Sequence, residues 1–290
     1  MPTEASLHAG PQFVSSMKSE TVNLAEALAL ALDWQQDEGV AIVHVLRSPE
    51  SLGLDRSKRA VFADSARRAG DLPDGLDRAV THAAVDALTK RRSRVYSLAS
   101  SPEGGSVVGI EGGEVDIFVE VLPAIPQLII VGAGHIAQPL AAIGNVLGFT
   151  VSVLDDRPRF ANRERFPHAD RIIVDDFVEG LRRIKVTRDS YVVLVTRGHT
   201  HDRACLEEVL NSEAAYIGMI GSKMRIRTVM RALRAAGYDA SVLQQVYAPI
   251  GLDIAAQTPA EIAVAIAAEI VDVRRGGAAP HLALAERLGA

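Results

Sequence analysis

The chain has 290 residues, of which 48% are hydrophobic and 23% charged, with a formal net charge of -5. That length suits about two domains, and the composition excludes collagen-like, coiled-coil and wholly disordered chains. The negative balance argues against a nucleic-acid partner held by charge, and the single cysteine, Cys205, leaves no internal disulfide, cysteine-rich zinc site or iron–sulfur centre, a usage that fits a reducing cytoplasm.

Residues 1–20 are polar and small and lack the basic start and apolar middle of a signal peptide, so a disordered leader is expected there. Residues 21–122 read as a smaller α+β domain. Thr21 to Trp34 has apolar residues at helical spacing, and Val40 to Leu46 is a β-branched run. Leu76 to Lys90 reads as a second helix, and Val95 to Ala99 and Val115 to Leu122 as further strands. Pro123-Ala124-Ile125-Pro126 is the linker candidate within 123–127, because two prolines stiffen the chain and discourage helix.

Residues 128–275 alternate strand-like runs with mostly helical stretches. The runs are Leu128–Val131, Val151–Leu154, Arg171–Val174, Tyr191–Thr196 and Ala215–Met219. This is the sequence form of a doubly wound, Rossmann-like parallel sheet. No charged residue lies between Glu120 and Asp155, but strand, glycine turn, helix and strand within that stretch read as a sheet buried on both faces, not as a membrane span. Thr258, Pro259 and Glu261 form a capping box that opens a last long helix. A Gly, Ala and Pro-containing tail covers 276–290.

Three loops carry candidate chemistry. Gly132-Ala133-Gly134-His135-Ile136-Ala137 is G-x-G-x-x-A between a strand and a helix, a pattern that brings phosphate against the backbone and a helix N-terminus. Asp155, at the end of the next strand, sits where a carboxylate accepts from a ribose, followed by Asp156 and Arg157. Such an acid favours NAD over NADP unless Arg157 turns inward; more plainly, Arg157, Arg159, Arg163 and Arg165 form an exposed basic loop. Second, His199, His201 and Asp202 follow another strand and have acid–base or ligand-contacting chemistry, with Asp202 also a natural helix N-cap; no metal is assigned to them. Third, Gly221-Ser222-Lys223 opens an arginine-rich helix, either as a second anion contact or as an ordinary capped start. Cys205 reads as a small apolar residue packed in a helix.

Five segments, LIIVGAGHIAQPLA, VLDDRPRFANRERFP, VTRGHTHD, AYIGMIGSKMR and APIGLDIAAQTPAEIAVAIAAEIV, lie in order over nearly all of Leu128 to Val271. Through them the chain resembles the xanthine dehydrogenase accessory protein family (XdhC/CoxI type). The resemblance implies a cytoplasmic maturation factor that binds molybdenum cofactor, as molybdopterin or its dinucleotide form, and assists its sulfuration. Such a factor delivers the cofactor to a xanthine dehydrogenase-like molybdenum hydroxylase apoenzyme. It further implies a cysteine desulfurase among the partners and a homodimer, with neither nucleic acid nor membrane involved. The cofactor contacts implied are Gly132 to Ala137, Asp155 to Arg157 and Gly221 to Lys223. The amino-terminal half matches loosely: Ser51-Leu52-Gly53-Leu54-Asp55 stands where the family carries a Ser-Thr-Pro-Arg loop, and Glu111 precedes Gly112-Gly113 where a cysteine is expected. A different class of function uses the same glycine turn, either an NAD(P)-dependent oxidoreductase with His199 or His201 as acid–base or a dinucleotide-sensing regulator.

Overall fold

Two six-stranded sheets organise the chain, which divides into two units between Ala124 and Ile125. The computed structural model describes residues 22–36, 38–52, 59–64, 68–70, 76–101, 104–109 and 112–279. The leader 1–20, the tail from 280 onward, Gly53 to Asp55 and Glu111 lie outside the described residues.

The first unit runs α1 (Leu24–Trp34), β1 (Val40–Arg47), β2 (Arg59–Ala63), β3 (Arg68–Ala69), α2 (Asp77–Thr89), β4 (Arg94–Ala99), β5 (Ser106–Gly109) and β6 (Val115–Leu122). The sheet order is β3-β2-β1-β6-β4-β5, antiparallel throughout. Alternation along β1 sends its residues to two cores. Val40 and Ile42 meet Ala27, Ala31 and Trp34 of α1, while Ala41 and Val43 join Ala79, Val80, Ala83 and Ala87 of α2 on the other face. Asn23 and Glu26 close a capping box at the start of α1. The short strands β2, β3 and β5 fall in stretches where the sequence shows no alternation long enough to read.

The second unit runs β7 (Gln127–Val131), α3 (Ala137–Val146), β8 (Thr150–Asp155), β9 (Arg171–Val174), α4 (Phe177–Arg182), β10 (Ser190–Leu194), α5 (His199–Val209), β11 (Tyr216–Met219), α6 (Lys223–Ala235), α7 (Ala240–Leu243), β12 (Val246–Tyr247) and α8 (Pro259–Arg275). Every pairing is parallel, in the order β12-β11-β10-β7-β8-β9. Read from the β9 edge and numbered within the unit, this is the 3-2-1-4-5-6 order of the doubly wound nucleotide-binding sheet. Leu128 and Ile130 pack with α3 and α8 on one face. Ile129 and Val131 pack with α4, α5 and α6 on the other. Both faces are therefore covered, which is why the strands read as unbroken apolar runs. The β8–β9 connection, 156–170, contains no helix.

The last helix is held from inside. Its capping box at Thr258 and Glu261 and its Pro259 stand as the sequence indicates. Glu269 of α8 is fully buried; the Tyr216 hydroxyl donates to it at 2.5 Å and the Gly251 N–H at 2.8 Å. Burial, with Glu269 beside it, pushes the Tyr216 hydroxyl well above its ordinary pKa.

Candidate functional site

Strand order changes direction between β7 and β10, and ligands of such sheets bind outside the carboxyl ends of the strands at that point. The loop after β7 holds Gly132, whose φ of 104° is open to glycine and strained for other residues. A Cβ on Gly132 would lie 2.6 Å from the Val195 carbonyl oxygen, just beyond β10. The glycine thus lets two adjacent strand ends approach each other. Gly134, two residues on, has no neighbouring atom within 4 Å of where its Cβ would be. His135 is exposed, Ile136 half-buried and Ala137 buried against the sheet. The α3 N-terminus carries no side-chain cap and no acidic residue in its first turn, so its leading N–H groups face the loop without an internal anion. Pro139 stands third in α3, where its missing N–H removes no helical bond.

Asp155 ends β8 fully buried. Its Oδ1 accepts from the Arg157 N–H at 3.0 Å and Arg157 Nε at 2.8 Å; its Oδ2 accepts from the Ala133 N–H at 2.8 Å and Arg157 Nη2 at 3.0 Å. A carboxylate offers about four lone-pair sites, and these four donors take them. Burial alone would raise the Asp155 carboxyl, but the Arg157 guanidinium and the two backbone N–H groups outweigh it and hold the pKa below the usual range. Here the carboxylate ties the glycine loop to Arg157, so the ribose-accepting role expected of Asp155 would require Arg157 to give way. Arg157 is also not part of an exposed basic loop. Its side chain is 17% exposed and lies over the Phe160 ring at 3.7 Å. Asp156 is half-exposed and pairs with Arg197 at 2.8 Å.

The second loop departs from expectation in a similar way. The N-cap of α5 is Gly198, so Asp202 lies within the helix and does not cap it. Asp202 is buried, accepting from the Thr196 hydroxyl and from Arg225 Nε, each at 2.5 Å. Arg225 also donates to the Thr196 carbonyl at 3.2 Å. Burial pushes the Asp202 carboxyl up despite Thr196 and Arg225. The arrangement clamps the starts of α5 and α6 to the end of β10. His201 packs edge-on against Phe177 at 5.1 Å. His199 opens α5, and its side chain lies outside the described residues. Among the described residues no group of three or more His, Cys, Asp or Glu could hold a metal ion. At the third loop the Ser222 hydroxyl caps α6 by accepting from the Arg225 N–H at 3.3 Å. Gly221 is half-buried and Lys223 exposed beside it.

Residues 128–270 match the family model described as the XdhC Rossmann domain. That match lies within the second unit and covers most of it. An uncharacterized protein, YqeB, of Escherichia coli (strain K12) is 27% identical over 243 residues, which is 83% of this chain and 44% of that protein. A probable xanthine dehydrogenase subunit of Bacillus subtilis (strain 168) is 30% identical over 160 residues, 55% of this chain and 46% of that one. The chain thus spans under half the length of both curated relatives. The crystal structure of a xanthine dehydrogenase from Bacillus halodurans matches with a TM-score of 0.50 at 22% identity, over 86% of this chain and 96% of the other; this likeness concerns the fold. No helix among the described residues is long and apolar enough to cross a membrane.

Within the matched residues the lone thiol is remote from solvent. Cys205 is fully buried in α5, and burial, helped by Asp202 and Asp176, pushes its pKa up to about 12. At neutral pH it is a neutral thiol, neither nucleophile nor ligand. Cys205→Ser is expected to keep ligand binding while costing about 1–3 kcal/mol, the usual penalty for a hydroxyl placed among apolar groups. Thermal melting and a binding titration on the same variant check both halves. Lost binding in a protein that melts normally would make the thiol functional.

Two features of the site escaped the sequence reading. Arg225 reaches Asp202 from 23 residues away, and Arg165 reaches the glycine loop from 32 residues away. The available signal was Phe160 set among arginines in a loop, a spacing that suits stacked guanidinium groups.

Proposed function

We propose that this protein is an accessory factor for a xanthine dehydrogenase-type molybdenum hydroxylase, and that its XdhC Rossmann domain holds the phosphate-bearing end of the molybdenum cofactor as cargo. The observation that carries this reading is the Gly132 to Ala137 loop at the sheet's switch point, with uncapped α3 behind it. Gly134 leaves a Cβ-sized opening at the loop, and the leading N–H groups of α3 lie beside it, a donor set that fits an anionic group. Gly132, Gly134 and the α3 N-terminus would hold the phosphate. The redox chemistry belongs to molybdenum and is exercised in the client enzyme. The residues of this chain bind and orient. Cys205, buried and neutral, offers no thiolate for sulfur transfer, so any sulfur step would use a partner's thiol.

Hydride transfer from NAD is the weaker reading. It calls for a free carboxylate at the ribose, and Asp155 has all its acceptor sites engaged.

The test is retention and transfer of cofactor. Protein incubated anaerobically with molybdopterin and desalted should keep the pterin, seen by fluorescence after oxidation, and should raise the activity of a cofactor-free molybdenum hydroxylase. Gly134→Val should fold normally, because a side chain there meets open space. It should lower retention at least about tenfold, because the branched side chain stands where the phosphate approaches. Equal retention by wild type and Gly134→Val would remove the loop from the cofactor site.

A further inference from the structure

Three arginines stand over Phe160, namely Arg157, Arg159 and Arg165, and they are not equivalent. Arg157 is matched by Asp155, and Arg159 is exposed, 5.2 Å from the ring centre. Arg165 has only neutral partners: its Nη2 donates to the Ala133 carbonyl at 3.3 Å and to Gln138 Oε1 at 3.1 Å. No acidic side chain among the described residues pairs with it, and its Nε is buried without any acceptor. The guanidinium lies 5.0 Å from the centre of the Phe160 ring, which Arg157 also covers. A partly buried cation with an orphaned donor is costly to leave so. Here it is held against the first turn of α3, through Gln138, and against the glycine loop, through Ala133.

We infer that Arg165 is the specificity-determining residue of this site and that the site selects a ligand carrying a phosphate monoester over one presenting a free ribose diol. Arg157 prepares the selection by neutralising Asp155, the group that would otherwise repel a dianion and accept from a diol. Arg165 completes it, adding a charge with fork geometry beside the donors of α3. The inference rests on the glycine loop being the ligand site. The phosphate end of a pterin cofactor and the 2′-phosphate of NADP share the required chemistry, and NADP and NAD differ only by that group, so they are the probes.

Calorimetric titration of the full chain should give NADP about tenfold or more tighter binding than NAD. Arg165→Ala should bring NADP to the affinity of NAD and leave NAD unchanged. Arg165→Lys, which keeps charge and loses the fork, should fall between. If Arg165→Ala does not fold, judged by circular dichroism, the wild-type ratio and the lysine variant decide. NAD binding as tightly as NADP, or a preference that survives in the folded Arg165 variants, overturns the inference while leaving the loop as the ligand site. Failure of both nucleotides to bind overturns the inference, and if molybdopterin is not retained either, the reading of the loop falls with it. Competition identifies the source of the phosphate: displacement of NADP by molybdopterin assigns the subsite to the pterin, and persistence assigns it to the nucleotide.

Discussion

Replacing Asp155 with alanine should destabilise the protein by about 3–5 kcal/mol, the range for breaking a buried ion pair by removing one partner. The carboxylate is fully buried and takes four N–H donors, three of them from Arg157. Without it the Arg157 guanidinium, 17% exposed, keeps its charge with only the more distant Asp156, 3.6 Å from Nε, as counterion, and the Ala133 N–H is orphaned at the glycine turn. The same reasoning gives a pH dependence. The folded pKa lies below the ordinary carboxylate value, so this stabilisation is complete above about pH 4 and is lost as pH falls through the folded pKa. Urea denaturation of wild type and Asp155→Ala between pH 7 and pH 3 measures both effects. The variant should start lower at pH 7 and lose less on acidification. A variant as stable as wild type but deficient in ligand binding would return Asp155 to the ligand.

Gly132→Ala should cost about 3 kcal/mol or more, combining a left-handed φ with overpacking. The φ of 104° penalises any side chain, and the new Cβ would lie 2.6 Å from the Val195 carbonyl oxygen and 2.8 Å from its carbon. Both are backbone atoms of a buried segment, so relief requires β7 and β10 to separate at their carboxyl ends. Gly134→Ala, by contrast, should melt as wild type does, since nothing lies within 4 Å. The pair of melting curves separates the two glycines: the first is required by the fold, the second is available to a ligand. Equal melting temperatures for Gly132→Ala and wild type would refute the close approach.

The contrast between these residues shows what was legible in the sequence. The core strands of the second unit and the capping box of α8 are local patterns, four to six apolar residues or three spaced letters, and they stand where the sequence placed them. Strands β2, β3, β5 and β12, of two to five residues, were not read. Around the site, G-x-G-x-x-A followed by an acid is the same string whether the acid meets a ribose or the arginine two positions on. The choice lies in a side-chain rotation, which spacing does not encode. The misreading of Asp202 has a similar origin. A cap is inferred from neighbours in the chain, but Asp202 is claimed by Arg225 across the ends of two strands, a partner that exists only once β10 and β11 have paired.

The placement of α8 has a consequence for how the protein is made. Its Ala263, Ile266 and Ile270 seal the sheet face bearing Leu128, Ile130, Tyr191 and Val193, and Glu269 receives the Tyr216 hydroxyl there. The opposite face is closed by helices that alternate with the strands and leave the ribosome with them. At roughly 5–20 residues per second, the stretch from Leu128 to Ile270 takes on the order of ten seconds to synthesise. Until Ile270 is made, that apolar face has only α3 and the loop bearing Ala161 and Phe166 over it, and the Tyr216 hydroxyl waits for Glu269, 53 residues on. The sheet face under α8 is therefore the last to close, and any ligand that needs a rigid glycine loop has to wait for the same event.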